Sequence, residues 1–263
     1  MLLTNNYLTI DRDEWLSCKK GRYSSSDIYR LFSKGSRPMT QEELDARPRY
    51  IKKNGEEGAF IGGTTVETMF NDAALAYIRE KIDELITGNP NGLEEQYPSV
   101  SEYKQTEWGN SNEFDGLRRF EVVTGKSIIF YGGGSPRFFP YGDYAGCSPD
   151  AEVVGESALV EMKCPYNTDI HTKRLLYKTI DEFKSSEWKE YCQCQCQMKI
   201  TGADACYFCS FDPRKSYMAQ QMKIIKIKAN IEWQQDFDLR LTEAIKIMKT
   251  MLQDTEKYLI IEE

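Results

Sequence analysis

Several things are scarce in this chain, and each scarcity excludes something. There is one histidine in 263 residues, so no paired-histidine metal centre can be assembled; His171, in a polar stretch, reads as a surface or capping residue rather than a catalyst. No run approaches 18 apolar residues, which excludes a membrane-spanning helix. The first six residues have neither a basic start nor a long apolar stretch, so no export signal is read there and a cytoplasmic setting is expected. Surplus positive charge is missing as well. A net charge of −7 argues against a protein that coats nucleic acid over its whole surface, though not against a local basic groove. Internal repeats and low-complexity tracts are absent.

What is present suits one large domain over residues 1–263, with loop insertions expected near 36–62 and 89–104. Hydrophobic residues make up 40% and aromatics 12%, enough for a full core. Eight cysteines without an export signal are expected to be reduced. Cys192, Cys194 and Cys196, with Cys206 and Cys209, have spacings that can bind a soft metal. Against this, Cys206 and Cys209 lie in an apolar, strand-like run and no second C-x-x-C completes a ligand set, so the cysteines read as small buried residues. Basic clusters occur at Lys19, Lys20 and Arg22; at Lys34 and Arg37; at Arg47, Arg49, Lys52 and Lys53; and at Arg118 and Arg119. Each is either part of a groove or a solvated face.

The chemistry concentrates in residues 146–165. Asp150 precedes Val153, Val154 and Gly155, and the chain then climbs through Ala158, Leu159 and Val160 to Glu161, Met162 and Lys163. This is the pattern of a β-hairpin. With a period of two, Glu161 and Lys163 point to one face, and pairing across the turn can bring Asp150 beside them. Two carboxylates and an ammonium at one spot suit Mg²⁺, a hard ion that takes a few carboxylates plus substrate phosphate. Such an ion activates water and neutralises charge on a phosphoryl oxygen. Lys163 would hold the attacking water and offset the crowded negative charge. An ordinary surface hairpin with an ion pair is the plain alternative.

Around this hairpin, Ser24 to Ser26 offer N-cap hydroxyls to a helix beginning near Asp27, and residues 36–62 read as a long loop or lid. A helix is expected from about 65 to 87, and residues 89–101 again read as loop. Phe114, Leu117, Phe120 and Val123 mark one face of a helix closed by Gly125. Strands are expected at 127–131, 144–147, 205–211 and 222–228, with helices at 187–200 and from 231 onward.

The segment Cys147 to Asp150 followed by Leu159 to Pro165 closely resembles the S-P-D and E-x-K-C-P segments of the lambda exonuclease family, the YqaJ-like viral recombinases within the PD-(D/E)xK nuclease superfamily. Trp15, Lys19 and Ser24 to Ser26 resemble the family's 5′-phosphate segment, with Lys19 where the family has arginine. Gly109 and Glu113 match its first acidic site, Gln193, Gln195 and Met198 its Q-x-Q-x-x-M motif, and Asp212 to Arg214 its D-P-R turn. The resemblance implies an α/β restriction-endonuclease-like core, a central mixed sheet flanked by helices. It implies a Mg²⁺-dependent 5′→3′ exonuclease, with Mn²⁺ as a substitute and two ions per site. Such an enzyme degrades one strand of linear duplex DNA to 5′-monophosphates and leaves 3′ overhangs. Asp150, Glu161 and the Met162 carbonyl would hold one ion, Glu113 would serve the second, and Lys163 and Gln193 would position water. Lys19, Lys20, Arg22, Ser26 and Ser148 are the candidates for phosphate contact, with the anchor among the three cations left open. Gln195 and Gln197 are read as polar helix positions. The implied partners are double-stranded DNA ends, two further copies in a ring-shaped homotrimer, and a phage-type single-strand annealing protein. The implied setting is a phage or prophage protein in a bacterial cytoplasm. Two rivals stand beside this reading: an endonuclease of the same superfamily, and a non-catalytic cysteine-metal DNA-binding module.

Overall fold

The computed structural model describes residues 8–9, 11–88, 100–132 and 136–257. The first part of the chain forms β1 (Leu8–Thr9), α1 (Arg12–Lys19), β2 (Tyr23–Ser24), a 3-10 turn (Ile28–Phe32), β3 (Gly35–Pro38), α2 (Gln41–Asp45), β4 (Arg49–Ile51), β5 (Glu57–Phe60), β6 (Thr65–Thr68) and α3 (Asp72–Thr87). Then follow α4 (Val100–Thr124), β7 (Ile128–Phe130), β8 (Arg137–Tyr141), β9 (Ala145–Cys147), β10 (Ala151–Val153) and β11 (Ala158–Lys163). The last part comprises α5 (Thr168–Leu175), α6 (Ile180–Ser186), α7 (Trp188–Thr201), β12 (Ala205–Phe211), β13 (Met222–Lys228) and α8 (Ile231–Lys257).

A five-stranded sheet in the order β13-β12-β11-β10-β7 carries the centre of the molecule. Its β11–β12 pair is parallel and its other pairs antiparallel. Parallel neighbours need a crossover, and α5 to α7 supply it. The sheet is covered on both faces, which is why β11 and β12 read as nearly unbroken apolar runs. Leu159, Cys206 and Phe208 join the core that contains Cys192, Cys194, Cys196 and Phe237. Ala158, Val160, Met162, Tyr207 and Phe211 pack on the opposite side with Leu117 and Phe120 of α4. The alternation has a direct consequence for chemistry: Glu161 shares its parity with Leu159 and so faces α7. A second, four-stranded sheet, β1-β8-β9-β2, lies alongside.

Local chemistry explains the boundaries. Asp11 and Glu14 form a capping box at the start of α1, and Asn71 caps α3 through the Ala74 N–H. The β10–β11 hairpin turns at Gly155, whose φ of 80° favours glycine.

The structure departs from the sequence reading at several points. Residues 36–62 are not a structureless loop: they hold most of β3, then α2, β4 and β5, with β4 and β5 paired antiparallel and β3 paired antiparallel with β6; residues 65–68 are strand, so the helix begins at Asp72. Ser24 to Ser26 do not cap a helix: Ser24 ends a strand paired with β9, and the following 3-10 turn has no side-chain cap. His171 is fully buried, bonded to Ser210 Oγ and the Gln220 carbonyl, because α5 packs on β12 and β13 with that face inward. Phe114 and Val123 are exposed, so only Leu117 and Phe120 of their stripe reach the core. Residues 89–99 of the expected loop, and residues 133–135, lie outside the described residues, while 100–104 are the start of α4 rather than loop.

Candidate active site

A cleft of about 250 Å³ opens where β11, the start of the β10–β11 hairpin, α4, α7 and α1 meet; Glu113, Asp150, Glu161, Lys163 and Gln193 all line it. Glu113 comes from α4, Asp150 from the hairpin mouth, Glu161 and Lys163 from β11 and Gln193 from α7, each for a local reason. Strand parity puts Glu161 and Lys163 on one face, where Lys163 Nζ donates to Glu161 Oε1 at 2.6 Å. Asp150 is held at the hairpin mouth by the Met162 N–H, which donates to its Oδ2 at 2.6 Å. In an extended strand the N–H and C=O of one residue project to the same edge, so the Met162 carbonyl also faces Asp150.

Glu113 depends on a close helix–strand approach. One turn along α4 stands Gly116, where an added Cβ would lie 2.8 Å from Met162 Sδ and 3.2 Å from Phe211 Cβ. A glycine here lets α4 pack on β11 without pushing the Met162 side chain aside, and so carries Glu113 to the cleft.

Two glutamines one helical turn apart grip Glu161. Gln193 Nε2 donates to its Oε1 and Gln197 Nε2 to its Oε2, both at 2.6 Å. Gln197 is therefore not a polar surface position, and sequence reading missed it. The available signal was its i+4 spacing from Gln193. Gln195, equally buried, is structural: it donates to the Lys228 carbonyl and accepts from the Asn230 N–H.

Electrostatics at the cleft are strained. Burial, then Glu161 and Glu113, push the Asp150 carboxyl well above the usual carboxylate range. Burial and Glu161 also raise Glu113, with Lys163 pulling the other way. Burial works against the Lys163 ammonium, yet Glu161 and Asp150 outweigh it and hold its pKa above the ordinary lysine value. Three carboxylates against one ammonium leave negative charge without compensation, in a setting of hard oxygen donors. That fits a divalent cation. Among the described residues no three such side chains form a closed cage, so the expected convergence is looser than three carboxylates around one ion. Mg²⁺ does not require a cage, because it retains waters and takes substrate phosphate.

At the other end of the cleft, Trp15 Nε1 donates to Ser148 Oγ at 2.8 Å, and Lys19, four residues on, lies 3.3 Å from the Trp15 ring centroid. Lys19, Ser24, Ser25, Ser26 and Ser148 line this end. Lys20 and Arg22 are not among the lining residues. The Arg22 guanidinium instead bonds the Cys18 and Asp143 carbonyls, fastening the end of α1 to the β8–β9 turn.

The family model for the YqaJ-like viral recombinase domain matches residues 14–204. The chain belongs to this family. The matched span of this YqaJ-like chain includes every cleft residue named above. Its fold is shared with LHK-Exo: the structure in complex with dAMP gives a TM-score of 0.63 at 19% identity, covering 93% of this chain and 96% of that one. A second structure, of LHK-Exo as an alkaline exonuclease from Laribacter hongkongensis, gives 0.60 at 18% identity over 93% and 98%. A phage related exonuclease from Haemophilus somnus 129PT gives 0.60 at 14% identity over 89% and 96%. No curated protein matches the sequence at a significant level. The YqaJ-like chain therefore has the mixed α/β fold of PD-(D/E)xK-like nucleases. Six of its eight cysteines belong to that fold's interior: Cys147, Cys192, Cys194, Cys196, Cys206 and Cys209 are buried, while Cys18 and Cys164 are half-buried.

Proposed function

We propose that this chain is a Mg²⁺-dependent 5′→3′ exonuclease that degrades one strand of linear duplex DNA to nucleoside 5′-monophosphates, leaving 3′ overhangs for annealing-type recombination. The observation that carries the reading is the meeting of Glu113, Asp150, Glu161, Lys163 and Gln193 in one cleft whose far end holds Lys19, Ser26 and Ser148. Family membership and the names of the structural neighbours, an alkaline exonuclease and a phage related exonuclease, support it.

Asp150, Glu161 and the Met162 carbonyl would hold one Mg²⁺, and Glu113 would serve a second. When bound, the ions supply charge neutralisation at the phosphoryl oxygens and lower the pKa of water. The remaining work falls to side chains of the chain itself. The Lys163 side chain keeps 32% of its exposure while Glu161 keeps 2%, so the ammonium reaches into the cleft, where it steadies the attacking water and the scissile phosphate. Gln193 Oε1 is buried without a protein partner and is suited to accept from that water. Lys19 and the Ser26 and Ser148 hydroxyls bind the terminal 5′-phosphate, Lys19 as a point charge rather than a bidentate fork. Docking the phosphate at one end and hydrolysing at the other sets polarity and releases one nucleotide per step. A ring-shaped homotrimer around the duplex and hand-over of the 3′ strand to a phage-type annealing protein complete the proposal.

The test is digestion of 5′-phosphorylated linear duplex in Mg²⁺, comparing wild type with Glu161→Ala. Mononucleotide release by wild type only, with closed circular DNA left intact, is the expected result. Nicking of the circle would favour an endonuclease, and DNA binding without hydrolysis would favour a non-catalytic module. Sedimentation of the purified protein checks the trimer.

A further inference from the structure

Gln197 is fully buried, is not among the residues that line the cleft, and makes one side-chain hydrogen bond, to Glu161 Oε2. Its Oε1 is buried with no partner. An unpaired buried acceptor costs free energy, and a position needing only to fill space would be cheaper as Leu or Met. Turning the amide over would set that oxygen against the carboxylate, so charge fixes the donor orientation. Gln193 grips the other oxygen of Glu161 from one turn earlier, but it lines the cleft and shares its oxygen with Lys163. The two amides are thus not equivalent: one touches the reacting side, and the other lies behind the carboxylate.

We propose that Gln197 is a positioning residue that locks the Glu161 carboxylate in the pose needed to bind the divalent cation, while Gln193 serves the reacting water. The inference rests on the nuclease reading above. Partners behind a metal ligand orient it and raise its affinity without touching substrate. Loss of Gln197 should therefore show in metal binding, and loss of Gln193 in turnover.

Gln197→Met keeps the volume and removes the donor. Calorimetric titration of Mg²⁺ into the DNA-free protein should show affinity falling about 10–100-fold, and the Mg²⁺ concentration for half-maximal digestion should rise in parallel, with excess Mg²⁺ restoring the rate. Gln193→Met should lower the maximal rate in a way that excess Mg²⁺ does not restore. If Gln197→Met does not fold, Gln197→Asn, an amide one methylene too short to reach Glu161, carries the same expectation. Wild-type Mg²⁺ affinity in either folded variant, or a rate loss that saturating Mg²⁺ leaves unrepaired, overturns the assignment. Wild-type protein that binds Mg²⁺ but leaves duplex DNA intact would sink the nuclease reading while the titration still decides the role of Gln197.

Discussion

At Asp150 four effects act on one carboxyl group: burial, repulsion from Glu161 and Glu113, attraction to the Lys163 ammonium, and a hydrogen bond from the Met162 N–H, the last two favouring the ionised form. Burial and repulsion win, so the folded-state pKa lies above the unfolded value of about 3.9. Below that value both states carry the proton and nothing is lost. As pH rises from the unfolded value toward the raised folded one, the unfolded state gives up its proton first and the metal-free fold loses stability, the loss being complete above the folded value. Asp150→Asn removes this penalty and keeps an acceptor for Met162. Its denaturation midpoint in chelator should exceed that of wild type at pH 8, the two should converge toward pH 4, and nuclease activity should vanish. A midpoint below wild type at pH 8 would show that the carboxylate stabilises the fold after all. Asp150, Glu161 and Lys163 were legible because a strand's period of two and a tight hairpin turn are local properties. Gln197 was not, because nothing in its neighbourhood reveals that its helix lies against a carboxylate 36 residues earlier in the chain.

Two elements locate the cleft without lining it. Gly116 sets the depth at which α4 packs on β11. Gly116→Ala should lift the helix from the strand, destabilise the fold by about 1–3 kcal/mol as overpacking does, and lower turnover by displacing Glu113. Urea unfolding and single-turnover digestion measure the two effects. Arg214, in the D-P-R turn after β12, ties down the exit of β11. Its guanidinium pairs with Asp212, donates to the Pro165 and Tyr166 carbonyls, and lies 4.3 Å over the Trp108 ring of α4. Arg214→Ala should cost about 1–3 kcal/mol for the lost charged hydrogen bonds, with activity falling further than stability alone explains, because the segment just after Lys163 is released. Equal loss in both measurements would make the turn purely structural. Strands and helices that bury one face were readable from periodicity. The ribbons within 36–62 were not: of β4, all three residues are exposed, so no hydrophobic alternation marks the strand.

Across the whole molecule, several cations of the basic clusters found in the sequence are paired with acids. Lys34 pairs with Glu67, Arg37 with Glu43, Arg49 with Glu57, Lys52 with Glu56 and Arg118 with Glu121. Exposed pairs of this kind contribute little to stability, but they cancel the local field. With a net charge of −7, the proposed contact with a DNA phosphate falls to the cations that line the cleft, Lys19 and Lys163, the latter also paired with Glu161. Lys19→Ala should weaken binding to 5′-phosphorylated duplex ends and reduce the slope of log affinity against log salt by about 1, with a smaller effect on 5′-hydroxyl ends. Fluorescence anisotropy over a salt series reads this directly. Equal loss on both ends would remove Lys19 from the phosphate pocket.

By itself the sequence determined the order of the core strands' hydrophobic runs, the hairpin carrying Asp150, Glu161 and Lys163, and the family-like series of motifs. All of these are written in contacts between residues close along the chain or in patterns a strand or helix repeats. Only the tertiary structure decided that Gln197 stands behind Glu161, that Arg22 holds backbone rather than facing the cleft, that His171 is core, and that Lys34, Arg37, Arg49, Lys52 and Arg118 are answered by acids. Those outcomes depend on which elements pack together, and the side chains concerned look the same in sequence whether they end in solvent, in the interior or against a charge.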